Sequence, residues 1–191
     1  MLKIWQVEPV VDSLSKGPLL RKIIVVTLKI LVGIALLSGL VMAMEMIDRL
    51  MSGISGSIEG LGILLSLVLT AAATFLAIKI LLHRAKCISY DQESNYPVIS
   101  LCELLLKTGG ELWALGYTSL GLVSGIMVWF GGDSPTIPGL WVPISHNTPS
   151  FLLGLGTILS GLFQALVMLV LSYLLAELLL LLRNIAANNN S

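Results

Sequence analysis

The chain has 191 residues, of which 56% are hydrophobic and only 12% are charged, and its formal net charge is zero. Because an ordinary soluble domain carries about 25% charged residues, this composition excludes a water-soluble globular fold. Apolar stretches of membrane-spanning length occupy most of the chain and leave no room for a separate soluble domain of about 100 residues, so a single membrane domain over residues 1–191 is predicted.

Four transmembrane helices are predicted, over residues 23–44, 61–82, 112–130 and 151–182. A helix needs about 20 apolar residues to cross a hydrocarbon core about 30 Å thick. The fourth stretch is longer than this and has only Gln164 and Glu177 as strongly polar interruptions. We therefore expect the fourth helix to tilt, to kink or to extend beyond the core.

A further helix is predicted between the second and third spans, over residues 97–107. Pro97 suits a first helical turn, and Ser100, Glu103 and Lys107 fall on one face while leucines fall on another. This pattern is typical of an amphipathic helix lying in the membrane interface, with Gly109-Gly110 as its joint to the third span. The predicted fold is an all-α membrane protein with four transmembrane helices and one cytoplasmic-side amphipathic helix.

The distribution of basic residues predicts the orientation. Lysines and arginines flank the spans on one side at ten positions, whereas only Arg49 lies on the other side. Residues 131–150 form the second outer loop, which contains four prolines and neither lysine nor arginine. Since basic residues are enriched in cytoplasmic loops, both termini are predicted to be cytoplasmic. The expected location is the inner (plasma) membrane.

Each predicted span carries small or weakly polar side chains at helical spacing. Such side chains let helix backbones approach closely in lipid, where hydrophobicity does not drive helix association. Residues 121–125 also match the GxxxG pattern of membrane helix contacts. The candidate helix-packing residues are Gly39, Ala73, Gly121, Gly125, Gly154, Thr157, Gly161 and Gln164.

Gln164 is the most polar side chain near the middle of a span. An unpaired amide would cost several kcal/mol there, so the side chain needs a partner. One interpretation is a hydrogen bond to a neighbouring helix, and the alternative is a place in a substrate or ion path. We favour the hydrogen bond, which is worth about 1 kcal/mol between membrane helices. No pair of acidic residues lies at mid-membrane, so a proton relay is not indicated.

The sequence offers little that could support catalysis or cofactor binding. His83 and His146 lie outside the spans, and Cys87 and Cys102 lack the spacing of a zinc or iron–sulfur site. Phosphate-binding, hydrolase and metalloprotease motifs are missing from the sequence, as is a basic aromatic patch. We therefore expect no catalytic residues, no metal, no cofactor and no nucleic-acid partner.

The end of the fourth span resembles a known pattern. Residues Tyr173 to Asn188 read Y-L-L-A-E-L-L-L-L-L-R-N-I-A-A-N. This segment is similar to the closing pattern of small uncharacterised bacterial multi-pass membrane proteins, in which a Leu-Ala-Glu turn is followed by Ile and Asn just past the lipid. The resemblance implies a bacterial membrane protein and brings no activity with it.

Three functions remain as hypotheses. The small-residue faces and the missing catalytic residues favour a non-catalytic membrane subunit that packs against other integral membrane subunits or copies of itself, surrounded by membrane lipid. The alternative is a homo-oligomeric channel or small transporter, for which Gln164 and the threonines at packing positions could line a path. An enzyme is the third choice, because membrane enzymes usually cluster acids, histidines or cysteines near one face.

Overall fold

The computed structural model describes residues 18–52, 57–90, 97–131 and 150–188. The described part consists of four α-helices: α1 (Pro18–Met51), α2 (Ser57–Tyr90), α3 (Pro97–Trp129) and α4 (Phe151–Asn188). Each helix is long and apolar enough to cross a membrane. The four predicted spans are thus confirmed as helices, and together they fit a multi-pass helical membrane bundle.

The helices are longer than the predicted spans. They contain between 33 and 38 residues, which corresponds to roughly 50–57 Å at the usual rise, against a hydrocarbon core about 30 Å thick. The charges at Glu45, Asp48 and Arg84 do not end α1 or α2, since the backbone remains helical through them. Each helix must therefore tilt or extend into the headgroup region.

The structure does not contain a separate amphipathic helix over residues 97–107. These residues are the first turns of α3, which continues without a break through Gly109-Gly110. A Cβ atom at Gly110 would collide with the side chain of Ser172 on α4. Gly110 therefore permits a close approach between helices, and the expectation of a joint at this position was wrong.

Local sequence features account for the C-terminal end of α3 and the N-terminal end of α4. Gly131 follows the last turn of α3 with a φ of 76°, a left-handed conformation that glycine adopts at helix C-termini without steric cost. Ser150 precedes α4, and its Oγ accepts a hydrogen bond of 3.5 Å from the backbone N–H of Leu153. The proline-rich part of the second outer loop, residues 132–149, lies outside the described residues.

Neighbouring helices run antiparallel. The closest pair is α3 and α4, whereas α2 packs on both α1 and α3, and α1 makes no extensive contact with α4 in the described part. Helices α1 and α3 begin, and α2 and α4 end, at the same end of the bundle. We call this end of the bundle the basic end, because Arg49 is the only described lysine or arginine that lies near the opposite end.

The distribution of side chains is the reverse of that in a soluble protein. Large apolar side chains point outward, with Leu37 63% and Phe163 67% exposed, while Ser66, Ser124 and Thr157 are fully buried. Lipid accepts an apolar surface, and small polar residues allow helices to pack closely inside it. The exposed faces of α1 and α4 thus suit contact with acyl chains.

Candidate functional site

The contact between α3 and α4 is close enough to bring the two backbones together. A Cβ atom at Gly161 would lie 2.7 Å from the Cα of Gly121 and 2.8 Å from the carbonyl oxygen of Tyr117. No real Cβ atom tolerates such distances to backbone, so glycine is required at this crossing. The structure thus places two of the predicted packing residues directly against each other within one chain.

The same contact continues towards the end of the bundle opposite the basic end. A Cβ atom at Gly125 would lie 2.8 Å from the carbonyl oxygen of Gly154. Thr157 is fully buried, and its hydroxyl donates to the carbonyl of Leu153 at 2.8 Å. Five of the predicted packing residues therefore lie in a contact internal to the chain: Gly121, Gly125, Gly154, Thr157 and Gly161.

Trp129 holds this hairpin of α3 and α4 together at the end of the bundle opposite the basic end. Its indole N–H donates to the carbonyl oxygen of Phe151 at 3.0 Å, and the two rings stack with centroids 5.6 Å apart. The hydrogen bond satisfies the polar end of the indole, while the stacked rings remain apolar. The two helices are thus joined along most of their shared length.

The three other predicted packing residues lie in different surroundings. Gly39 of α1 faces α2, where a Cβ atom would lie 2.5 Å from the Oγ1 of Thr74. Ala73 of α2 borders an open groove. Gln164 is half-buried on α4, and its Oε1 atom is buried. The eight residues therefore do not form one site.

The groove beside Ala73 has a volume of about 360 Å³ and opens between α1 and α3, with α2 as its floor. Its walls are predominantly apolar, and small residues lie on all three helices: Ala35 on α1, Ala73 and Ala77 on α2, and Gly116 on α3. A Cβ atom at Gly116 would meet no other described atom within 4 Å. The groove therefore has free space beside a glycine, in contrast to the glycines between α3 and α4.

Hydroxyl groups line the groove, and each already donates a hydrogen bond to its own helix. Thr70 donates to the carbonyl of Ser66 at 2.8 Å, and Thr74 to that of Thr70 at 2.9 Å. Ser38 and Ser119 make the equivalent bond three residues back, both at 3.0 Å. Because their protons are engaged, these hydroxyls offer a ligand fewer donors than their number implies.

Two apolar clusters border the groove. Leu28, Leu81 and Leu101 belong to a buried cluster that joins α1, α2 and α3 towards the basic end. Ile63, Val123 and Met127 form a second cluster and also line the groove. Two charged residues near the end of α1, Glu45 and Arg49, line it as well. The groove is therefore bounded by a packed layer towards the basic end and reaches charged side chains near the opposite end.

A polar cluster joins three helices at the basic end. Arg84 of α2 forms a two-pronged ion pair with the carboxylate of Glu111 of α3, and the Nε to Oε2 distance is 3.3 Å. The hydroxyl of Tyr173 on α4 donates to the same carboxylate at 2.8 Å. Both charged side chains are only about one-fifth exposed. Each polar group of the cluster therefore has a partner, and most of the surface of the ion pair is covered by protein.

This cluster was not predicted from the sequence, in which Arg84 reads as an orientation signal and Glu111 as a residue near a helix joint. The sequence did contain one relevant signal, which is the depth of these residues in the membrane. Arg84, Glu111 and Tyr173 all lie near the basic ends of predicted spans, so antiparallel packing would bring them to the same level. When three spans each carry a polar residue at the same depth, those residues are therefore candidates for one polar cluster.

No cluster suited to a metal ion was found among the described residues, where no group of three or more His, Cys, Asp or Glu side chains comes together. Cys87 and Cys102 are both free thiols, and the Sγ of Cys87 lies 3.7 Å from the Nε2 of His83 on the same helix. His146 lies outside the described part of the chain.

Comparison with models of known protein families, with curated proteins and with solved structures finds no match to this chain.

Proposed function

We propose that the protein is a non-catalytic integral membrane subunit, and that the groove between α1 and α3 receives one transmembrane helix of a partner protein. The observation that supports this proposal is the division of the small-residue faces. Those of α3 and α4 pack against each other, whereas Ala35, Ala73, Ala77 and Gly116 border an open space. These small residues would allow a further helix to approach closely.

The lining of the groove favours a helix over a hydrated ion or polar solute. A solute path must replace the hydration shell with polar groups. The hydroxyls along the groove already donate to their own helices and are left only as acceptors. The charged lining residues, Glu45 and Arg49, are confined to the last part of α1, away from the basic end. The apolar cluster around Leu28, Leu81 and Leu101 lies between the groove and the basic end. These observations support packing over the channel or transporter alternative.

The shape of the groove favours a different protein over a second copy. A twofold dimer needs the same surface on both partners to be self-complementary. A groove is not self-complementary by itself, so a twofold dimer would need a protruding helix beside the groove on the same face of each copy. The proposed occupant is therefore an apolar transmembrane helix of another chain, with side chains that reach between α1 and α3.

The proposal predicts that Gly116→Leu removes the partner and leaves the fold intact. The Cβ atom of the leucine would meet free space, so its side chain should extend into the groove and not into a packed contact. Co-purification in mild detergent tests this, with Gly33→Leu as the matched control because Gly33 is exposed on α1 and likewise has free space. We expect a partner protein to co-purify in stoichiometric amount with the wild type and with Gly33→Leu. With Gly116→Leu, the amount of co-purified partner should fall at least tenfold.

The partner must itself contain a transmembrane helix, because a helix is what the groove is proposed to hold. Equal recovery of that partner with both glycine variants would contradict the proposal. A ring made only of this chain would instead favour the channel alternative. Size-exclusion chromatography of each variant reports whether its fold has been preserved.

We also propose that the basic end faces the cytoplasm of a cell with an inner membrane, with both termini on that side and residues 97–107 at the interface. The concentration of lysine and arginine at this end supports the orientation. Cys102 is exposed near the start of α3, and Ser52 is exposed at the opposite end. In a variant lacking Cys87, Cys102 should react with an impermeant maleimide only after the cytoplasmic face is opened.

The matching reporter is Ser52→Cys in a chain without the two native cysteines. This thiol should react in intact cells. Labelling of Cys102 from outside, together with protection of the thiol at position 52, would show that the orientation is reversed.

A further inference from the structure

A second pocket lies at the basic end of the bundle. It is an open pocket of about 630 Å³ between α2 and α3, lined by Lys79, Ile80, His83, Arg84 and Glu111. It shares no lining residue with the groove. A ligand of this pocket would therefore contact none of the residues that are proposed to hold the partner helix.

The charges around this pocket favour an anion. Arg84 and Glu111 neutralise each other, and Lys79 adds a positive charge. Two of the five guanidinium N–H donors of Arg84 point to Glu111, and the guanidinium also lies beside the Tyr173 hydroxyl, so at most three donors remain for a further acceptor. The Lys79 ammonium lies 4.8 Å from the ring centroid of Phe75 on the same helix. The pocket thus combines a point charge with hydrogen-bond donors, as phosphate recognition requires.

Glu111 and Tyr173 fix the orientation of the guanidinium. The carboxylate binds Arg84 with both oxygens, and it accepts a further hydrogen bond from the Tyr173 hydroxyl at 2.8 Å. An arginine held in this way loses less side-chain freedom when a ligand binds. Glu111 and Tyr173 are thus positioning residues for Arg84.

The depth of the pocket matches the level of lipid phosphates. The 19 residues between Glu59 and Lys79 contain no charged side chain, and about 20 residues of helix cross the hydrocarbon core. Lys79 is therefore the first charge at the basic end of this crossing. Trp113, two residues after Glu111, is 60% exposed, as is usual for tryptophan at the membrane interface.

We infer that this pocket binds the phosphate of an anionic phospholipid, with Lys79 supplying charge and Arg84 supplying hydrogen bonds. Basic pockets between transmembrane helices at the cytoplasmic face bind lipid headgroups in this manner. A zwitterionic choline lipid carries the same phosphate, but its trimethylammonium group would add positive charge beside Lys79. An anionic lipid such as phosphatidylglycerol avoids this repulsion.

Native mass spectrometry of the full-length protein tests the inference. Protein in mild detergent is mixed with equal amounts of phosphatidylglycerol and phosphatidylcholine, and the retained lipid is counted. We expect about fivefold preference for phosphatidylglycerol, in keeping with the contribution of one basic residue near an anionic surface. Lys79→Gln should abolish this preference, and Lys79→Arg should keep it.

The matched control is Lys86→Gln, because Lys86 is exposed on the same helix and does not line the pocket. This variant should retain lipid like the wild type. Equal retention of the two lipids by the wild type, or the same loss with Lys86→Gln as with Lys79→Gln, would overturn the inference. Displacement of phosphatidylglycerol by inorganic phosphate would assign the pocket to a soluble phosphate and would also overturn the lipid assignment.

The variants are compared only after the fold is checked. Lys79 is exposed, so Lys79→Gln should give the size-exclusion profile and helical circular dichroism of the wild type. A variant that keeps this profile and still prefers phosphatidylglycerol fivefold would show that Lys79 does not bind the lipid.

Discussion

Gly161→Leu is expected to separate α3 from α4 and to destabilise the protein by at least about 3 kcal/mol, the upper range for overpacking of a well-packed contact. The cause is backbone contact, because a Cβ atom at Gly161 would lie 2.7 Å from the Cα of Gly121. Neither backbone can move aside without opening the helix pair. Thermal unfolding in detergent, followed by size-exclusion chromatography, measures the loss.

Two variants of α4 provide controls for Gly161→Leu. Gly156 has no other described atom within 4 Å of a Cβ position, so Gly156→Leu should leave the unfolding temperature nearly unchanged. Gln164→Leu should cost about 1 kcal/mol, the value of one hydrogen bond between membrane helices. If Gly161→Leu unfolds at the wild-type temperature, the proposed backbone contact is wrong.

Glu111→Gln is expected to produce the second-largest loss of stability, about 2 kcal/mol. The substitution leaves the Arg84 guanidinium without its countercharge and weakens the hydrogen bond from Tyr173. Because both charged side chains are about one-fifth exposed, water offsets part of the penalty that a fully buried arginine would incur. Chemical unfolding in detergent micelles gives the difference in free energy.

Glu103→Gln is the matched control for Glu111→Gln. Glu103 pairs with Lys107 at 2.7 Å, four residues away on the same helix, so this ion pair does not itself join two helices. The Lys107 ammonium also lies 5.8 Å from the ring centroid of Tyr173 on α4, a contact that Glu103→Gln leaves in place. Such pairs contribute about 0.3–0.5 kcal/mol. If the two substitutions lower the free energy of unfolding equally, the cluster of Arg84, Glu111 and Tyr173 does not join the helices.

The sequence predicts the four helices well because membrane spans are long and apolar, and no other structure satisfies their backbone groups in lipid. The helix ends are less predictable. The predicted spans stop short of charged residues such as Asp48 and Arg84, yet a helix can carry such side chains into the headgroup region. Likewise, Gly109-Gly110 is compatible with either a joint or a close helix contact, and only the position of Ser172 on α4 distinguishes them.

Prediction of the candidate sites from the sequence is limited in a similar way. Helical spacing indicates which face of a helix is small, but it does not specify which helix packs there. The face of Gly121 and Gly125 could have met a partner protein, whereas the structure places α4 against it. The groove and the polar cluster each require residues from three helices. Both therefore depend on the arrangement of the bundle, which the sequence alone does not specify.

Crosslinking from the groove gives the most direct test of the proposed subunit. A photoreactive phenylalanine analogue at Ser119 would lie in the groove, and the same group at Leu159 would lie on the exposed face of α4. We expect the Ser119 position to give a single adduct with a transmembrane helix of one partner protein, identified by mass spectrometry and lost on adding Gly116→Leu. The Leu159 position should react with lipid. The proposed function would be contradicted if both positions gave adducts with lipid alone. It would also be contradicted if the Ser119 position gave an adduct with a second copy of this chain.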